Sequence, residues 1–262
     1  MSLAVIVLGH SHMSSLIWHL KDRQVDAVSN LRPVHYHMFD TTRHGADFHF
    51  SEPSDGGVVL SPVLVQMIEE KVDASAERVY VSMFGGNAHN ALTLLELDEP
   101  IDFGLPFEPD LPLDPARRLL TFAAVTDYIK YIARHHTLDI AVLSQAVNSP
   151  VFHFESPPPI QDDAYISTHL EKYFKDQGER SVAPPLLRYK LWRTHGGIIS
   201  DVCKVNGVEF LPAPKPGIID GRWLNPLAYV GDSTHASGYY GGLLLRQLEA
   251  RLSARYTGWV WL

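Results

Sequence analysis

Three side chains in two short motifs have the chemistry of an activated nucleophile. The first motif, residues 9–12 (GHSH), directly follows an apolar run, and the second, residues 231–235 (GDSTH), lies near the carboxyl end. A serine hydroxyl becomes a nucleophile when an imidazole accepts its proton, and a carboxylate can orient that imidazole. The spacing therefore predicts that Ser11, His235 and Asp232 act as nucleophile, base and orienting acid.

A third motif, residues 84–87 (FGGN), offers the side-chain amide of Asn87 as a donor to an oxyanion. Each motif also has an ordinary structural interpretation. Gly-x-Ser and Asp-x-x-His strings occur as helix caps, and Gly-Gly-Asn is common in loops. The prediction of a catalytic site therefore depends on the three motifs meeting at one place in the folded chain.

Strand-like and helix-like segments alternate along the chain, and these elements would bring the motifs together. This alternation is typical of a parallel sheet covered by helices on both faces, so we expect a three-layer α/β/α sandwich with a five-stranded, mainly parallel sheet. The predicted strands are Ala4–Leu8, Val34–Phe39, Val79–Ser82, Val151–Phe154 and Val208–Leu211.

Helical spacing and cap signals predict the helices between these strands. A proline directly follows both Ser61 and Asp114, as is common where a helix begins, and Gly207 follows the end of a helix. The predicted helices cover about residues 13–22, 61–72, 114–136, 138–147 and 186–205, with a last helix that begins after Ser237.

The predicted order of strands and motifs places the polar residues at one edge. Ser11 follows the first strand, Asn87 follows the third, and Asp232 and His235 come after the fifth. In an open parallel sheet, ligands bind beyond the carboxyl ends of the strands. We therefore expect all four side chains at this edge.

The length and composition are those of an ordinary globular domain. The chain has 262 residues, of which 45% are hydrophobic and 20% charged, so we expect residues 1–262 to form a single α/β domain. Two irregular segments, about residues 96–113 and 157–185, follow strands at the same end of the predicted sheet. Long insertions of this kind are often lids or binding loops.

The net charge and the cysteine content indicate which kinds of partner and which cellular compartment to expect. With 22 basic and 30 acidic residues the formal net charge is −8, which argues against nucleic acid as the main partner. No apolar run reaches the roughly 20 residues of a transmembrane helix, so we expect no membrane span. Cys203 is the only cysteine, so no disulfide can form within this sequence. We therefore expect the protein in the reducing cytoplasm.

The three motifs, in this order, resemble the conserved blocks of the SGNH (GDSL-type) serine hydrolase family. Residues 9–11 (GHS) match its Gly-Asp-Ser turn, residues 85–88 (GGNA) its Gly-x-Asn-Asp block, and residues 232–235 (DSTH) its Asp-x-x-His block. The likeness covers nearly the whole chain and departs at His10 and Ala88, where the family has aspartates. It implies a flavodoxin-like SGNH-hydrolase fold and ester hydrolysis without a metal or organic cofactor.

The resemblance also implies an oxyanion hole. Its donors would be the N–H of Ser11, the amide of Asn87 and the N–H of a glycine from a further family block. Gly57 fits that block because it lies between the second predicted strand and the next helix, and Gly56 and Gly45 are the alternatives.

Four residues are candidates for binding the substrate. His12 and Gly86 lie beside the nucleophile and the amide in sequence, and Phe103 and Phe107 could line an acyl pocket from the first insertion. The two phenylalanines could equally form the core of a long loop. The expected substrate is a small-molecule acyl ester, for which an acetyl ester on a carbohydrate is one candidate.

The 14 histidines raise the alternative of a metal site. His35 and His37 would point the same way on a strand, and His135-His136 would end a helix. Neither an HExxH motif nor a cysteine cluster occurs in the sequence. We therefore expect no bound metal.

Two other functions use the same residues. The fold could bind an acylated sugar or lipid without turning it over, or it could transfer an acyl group to an alcohol in place of water. The motifs do not separate these alternatives from hydrolysis, and they do not indicate an oligomeric state.

Overall fold

The centre of the fold is a parallel sheet. The structure, a computed structural model, describes residues 2–22, 32–41, 49–51, 58–86, 88–256 and 259–260. The strands of the sheet are β1 (Leu3–Gly9), β2 (Arg32–Asp40), β3 (Glu77–Met83), β4 (Val151–Phe154), β5 (Glu209–Leu211) and β6 (Trp259–Val260). They lie in the order β6-β2-β1-β3-β4-β5, and every neighbouring pair is parallel.

This architecture confirms the predicted fold class. The five predicted strands are present, and their order 2-1-3-4-5 is that of the flavodoxin-like doubly wound sheets. The two-residue strand β6 adds an edge beside β2 that the sequence pattern does not predict.

Helices cover both faces of the sheet. In the described part of the chain they are α1 (Ser14–Asp22), α2 (Pro62–Lys71), α3 (Ala88–Thr93), α4 (Phe122–Ala146), α5 (Asp163–Thr168), α6 (Lys172–Lys175), α7 (Pro185–Val205) and α8 (Gly238–Arg255). Three two-stranded ladders lie outside the main sheet, at His49–Ser51 with Val58–Leu60, Ile101–Phe103 with Arg118–Leu120, and Ile218–Ile219 with Trp223–Leu224. None of the described helices combines the length and the apolar character that crossing a bilayer requires.

Strand β1 has apolar residues on both faces because both faces are covered. All its residues are buried. Val5 and Val7 pack in a cluster with residues of α1 and α8, whereas Ile6 and Leu8 pack in a second cluster with residues of α2, α4 and α7. Successive side chains of a strand point to opposite faces. A continuous apolar run is therefore what this central strand requires.

The prediction of two helices at residues 114–136 and 138–147 is wrong, since a single helix, α4, covers Phe122–Ala146. Asp114 does not begin it. The Asp114 side chain accepts the N–H of Ala116 in a tight turn, and the chain then forms the short strand Arg118–Leu120. Thr121 is the true N-cap, because its hydroxyl accepts the N–H of Ala124.

Helices α1 and α8 pack closely against each other at a glycine. A Cβ atom on Gly241 of α8 would lie 2.1 Å from the carbonyl oxygen of Ser15 in α1. Only glycine allows this approach, and α1 continues directly from the turn that carries Ser11. The packing of α8 therefore helps to fix the position of that turn.

We expect Gly241→Ala to destabilise the protein by about 1–3 kcal/mol, because the added methyl group would push two backbones apart. The matched control is Gly197→Ala in α7, where a Cβ atom would meet no atom within 4 Å. That change should be neutral or stabilise by up to about 1 kcal/mol. Denaturant unfolding measures both, and equal effects of the two substitutions would contradict the packing argument.

Candidate active site

Ser11 lies in a turn that begins where β1 ends. Residues Ser11–Met13 form a single turn of 3-10 helix, and Ser11 itself is exposed to solvent. The turn sits close against β3, since a Cβ atom on Gly9 would lie 2.7 Å from the carbonyl oxygen of Met83. The N–H of Thr41 donates to the carbonyl oxygen of Gly9 over 3.0 Å and ties the turn to the end of β2. The serine is therefore held at the carboxyl edge of the three central strands.

The loop that carries Asp232 and His235 is shaped by the aspartate itself. Oδ1 of Asp232 accepts the backbone N–H groups of Thr234 at 3.0 Å and of His235 at 2.7 Å. Oδ2 lies 2.9 Å from Nδ1 of the His235 ring. Gly231 begins the loop at a φ of 86°, a conformation that favours glycine. One carboxylate thus holds both the backbone turn and the imidazole.

The structure brings Ser11 and His235 into hydrogen-bond contact. Nε2 of His235 lies 2.8 Å from Oγ of Ser11. An ionised carboxylate can only accept hydrogen bonds, so Nδ1 of His235 carries the proton that it donates to Asp232. Nε2 is then the acceptor for the hydroxyl of Ser11, which is the arrangement that proton transfer from serine needs.

Charge around His235 favours its protonated form. Burial disfavours the imidazolium, but the hydrogen bond to Asp232, the charge of Asp232 and the charge of Glu171 outweigh this and raise the pKa of His235. Burial likewise disfavours the ionised form of Asp232, and its hydrogen bonds from His235 and Thr234 nevertheless lower its pKa. Asp232 therefore stabilises the imidazolium that forms when His235 accepts a proton as a general base.

Glu171 is a site residue that the motifs do not reveal. It accepts hydrogen bonds from the hydroxyl groups of Ser233 and Thr234, and its carboxylate lies 3.7 Å from Nδ1 of His235. It belongs to the second insertion, whose Tyr165 hydroxyl also accepts the N–H of Gly231 over 2.8 Å. No recurring motif surrounds Glu171 in the sequence, so only the folded chain shows that this insertion supports the histidine loop.

A cavity of about 550 Å³ opens beside the serine. Two predicted substrate-binding residues, His12 and Gly86, line it. They pack tightly, since a Cβ atom on Gly86 would lie 2.5 Å from the His12 ring, and the rings of His12 and His235 are 4.8 Å apart. The apolar part of the wall is formed by Ala88, Leu95, Leu97, Ile132 and Phe174.

The prediction that Phe103 and Phe107 line this cavity is wrong. Phe103 is fully buried in a separate apolar cluster with residues of α4 and α7. Phe107 is 51% exposed and packs on Phe122 and Arg193 instead. The first insertion packs on α4 and α7, and its Asp102 forms a buried ion pair of 2.7 Å with Lys190 of α7.

The predicted oxyanion donors other than Ser11 lie outside the described residues. Asn87, Gly57, Gly56 and Gly45 all belong to this group. The described neighbours of Asn87 do line the cavity, and Gly85 adopts a φ of 79° just after β3. The N–H of Ser11 is thus the one predicted donor within the described part of the chain.

Four histidines have lowered pKa values: His136 in the cavity wall, and the buried His89, His153 and His195. The rings of His89 and His195 are 5.3 Å apart, and no ring nitrogen of either has a hydrogen-bond partner among the described residues. Burial lowers the pKa of His136 and of His195 to about 4 and that of His153 to about 3. These rings are therefore neutral at pH 7, whereas the pKa of His235 is raised.

Comparisons with known proteins found similar structures but no matching sequences. No protein-family model and no curated protein matches the sequence. Among solved structures, the chain is similar to a GDSL-like lipase from Bacteroides thetaiotaomicron, with 11% identity, a TM-score of 0.44 and coverage of 97% of this chain and 89% of that one. It is also similar to Est24, a carbohydrate acetylesterase from Sinorhizobium meliloti, with 11% identity, a TM-score of 0.42 and coverage of 97% and 100%.

A lipase/acylhydrolase from Enterococcus faecalis is a further similar structure, with 13% identity, a TM-score of 0.42 and coverage of 98% of both chains. These proteins bear the GDSL and esterase names of the family that the sequence motifs resemble. At such identities, their substrates do not transfer to this chain.

We expect Asp232→Asn to lower the pKa of His235, because it removes the charge but keeps an oxygen for the backbone turn. The raised pKa means that the contact stabilises the fold fully below about pH 6.5 and loses this contribution as the pH rises through the folded-state pKa. NMR titration of the His235 ring, assigned with His235→Asn, measures the shift. A pKa that stays unchanged in Asp232→Asn would contradict the role of the carboxylate.

Proposed function

We propose that this chain is a serine ester hydrolase that works through a covalent acyl-enzyme. The observation that supports the proposal is the continuous set of hydrogen bonds from Asp232 through His235 to Ser11. The contact joins residues 224 positions apart in the chain. The Asp232–His235 pair forms locally, and its contact with Ser11 completes the arrangement that proton transfer from the serine needs.

The first half of the proposed reaction forms the acyl-enzyme. Oγ of Ser11 attacks the ester carbonyl carbon while its proton moves to Nε2 of His235, and Asp232 stabilises the resulting imidazolium. The tetrahedral intermediate then collapses, and His235 returns the proton to the departing alcohol. The alcohol leaves, and the acyl group stays on Ser11.

The second half reverses the proton movements with water in place of the alcohol. His235 takes a proton from water, the hydroxide attacks the acyl carbon, and the carboxylic acid leaves as Oγ of Ser11 regains its proton. In both halves the oxyanion would be held by the N–H of Ser11. Asn87 and Gly57 are proposed as its further donors because of the family resemblance, and such donors typically contribute about 100- to 1,000-fold in turnover each.

The cavity supports a small or medium-sized acyl ester as substrate. Its volume of about 550 Å³ lies within the usual range of small-molecule sites. Apolar residues such as Leu97 and Ile132 offer surface to an acyl chain, and His12 and Gly86 are proposed to contact the ester near Ser11. An acetyl ester on a carbohydrate is the narrower proposal, and it follows from the resemblance alone.

We expect Ser11→Ala to reduce ester hydrolysis by at least about 1,000-fold without unfolding the protein, because no other group replaces the nucleophile. The measurement uses p-nitrophenyl acetate and longer acyl esters. Ser167→Ala, which changes an exposed serine of α5, is the matched control and should keep full activity.

Labelling with a fluorophosphonate separates the alternatives in the same samples. The proposal requires that the wild type and Ser167→Ala are labelled and that Ser11→Ala is not. A wild type that is neither labelled nor active would favour a binding protein and overturn the proposal. Labelling with turnover only when an alcohol acceptor is added would indicate acyl transfer in place of hydrolysis.

The pH dependence of kcat/KM should rise along a limb with its midpoint above pH 6.5. The neutral form of His235 is required as the base, and its pKa is raised above the ordinary value of 6.5. Asp232→Asn should move the midpoint of the remaining activity to lower pH. A flat profile between pH 5 and 8 would exclude His235 as the base.

Glu171→Ala should lower kcat by roughly 10- to 100-fold with little change in KM, because the histidine loop loses its support and the ring its alignment. Glu171→Gln keeps an acceptor for Ser233 and Thr234 and should recover much of the loss. Glu179→Ala, an exposed change in the same insertion, is the control. Equal activity of Glu171→Ala and the control would show that the contact has no positioning role.

A further inference from the structure

A second group of polar side chains meets next to Ser11. His10 directly follows β1, and His136 and Asp139 lie one turn apart on α4. One possible ligand atom from each of the three lies within 4.8 Å of the other two. The rings of His10 and His136 stand 5.2 Å apart at 63°, so their nitrogens are not hidden by stacking.

The composition of this group is that of a metal site. Two imidazoles and a carboxylate are a common protein ligand set for Zn²⁺, with bonds of about 2.0–2.2 Å. Tetrahedral ligands at such distances are about 3.4 Å apart, so small side-chain rotations would bring these three atoms onto one ion. Two of the ligands share one face of a rigid helix, which limits the movement required.

The state of the side chains fits this interpretation. Nδ1 of His136 is buried and has no hydrogen-bond partner among the described residues. Such a group costs free energy unless something binds it. Asp139 is buried as well.

The other comparable group in the described chain, Glu171 with Asp232 and His235, is a poorer candidate. Both ring nitrogens of His235 already make hydrogen bonds, to Asp232 and to Ser11. The carboxylate of Glu171 accepts two hydroxyl groups. Both nitrogens of the His235 ring thus have partners, whereas Nδ1 of His136 has none among the described residues.

We propose that His10, His136 and Asp139 bind a divalent transition-metal ion such as Zn²⁺, in the wall of the cavity that Ser11 also lines. His10 and His136 line that cavity, whereas Asp139 is buried and does not line it. An ion on these three ligands could therefore be reached from the cavity. A water or an oxygen of the bound substrate would occupy the coordination position left by three protein ligands, which gives the cavity an affinity for oxygen-rich or anionic groups. This site revises the expectation of a metal-free protein and does not depend on ester hydrolysis.

Direct metal binding tests the proposal. Protein without an affinity tag is stripped with a chelator and titrated with Zn²⁺ by calorimetry, and with Co²⁺ by visible absorption. The wild type should bind one ion per chain, and bound Co²⁺ should show the intense visible bands of a low-coordinate site. His136→Asn and Asp139→Asn should each weaken Zn²⁺ binding by at least about 100-fold, since loss of a ligand costs no less than loss of its supporting partners.

His135→Asn is the matched control, because it changes the neighbouring histidine of the same helix, which does not line this cavity. It should bind like the wild type, and so should His235→Asn. Thermal unfolding with chelator checks that all variants fold, and added Zn²⁺ should raise the Tm of the wild type and of His135→Asn but not of His136→Asn. Equal binding by the wild type and His136→Asn, or loss of binding in His235→Asn, would overturn the proposal.

Discussion

The candidate site depends on one carboxylate with two tasks. Oδ1 of Asp232 holds the backbone turn at Thr234 and His235, and Oδ2 holds the imidazole. Because the same side chain shapes the loop and orients the ring, the direction of Nε2 is determined by local backbone geometry. The rest of the fold needs only to bring this preassembled pair of Asp232 and His235 to Ser11. The contacts of Glu171 with the loop hold the pair in place, and they also keep a second negative charge near the ring.

Close backbone packing determines where the serine stands. Gly9 lets the end of β1 approach Met83 of β3, and Gly241 lets α8 approach Ser15 just after the serine turn. Gly86 does the same for the ring of His12. In each case a side chain would occupy space that is already filled. The nucleophile is thus positioned by contacts to three neighbouring elements, and its own hydroxyl remains exposed for the substrate.

The main strands and the Asp232–His235 turn could be predicted from the sequence, because both depend on residues that are close together in the chain. The buried strands are apolar runs, and Asp232 and His235 lie close enough in sequence to form a local turn. Other features depend on distant contacts. Asp114 before a proline signals a helix start, but the N–H of Asp114 donates to Asp102, which pairs with Lys190 across 88 residues. Glu171 reaches Ser233 across 62 residues, and the burial of Phe103 depends on packing with α4 and α7. No local pattern encodes such contacts.

The sheet order has a consequence for when the proposed activity can arise. Ser11 follows the central strand β1, whereas His235 lies much later in the chain, after the edge strand β5. Contacts between residues so far apart in the chain form slowly during folding. A chain in which the loop of His235 has not yet docked therefore carries an unactivated hydroxyl. Reactivity toward esters would appear only once the carboxyl-terminal segment has docked, so it would report completion of the fold.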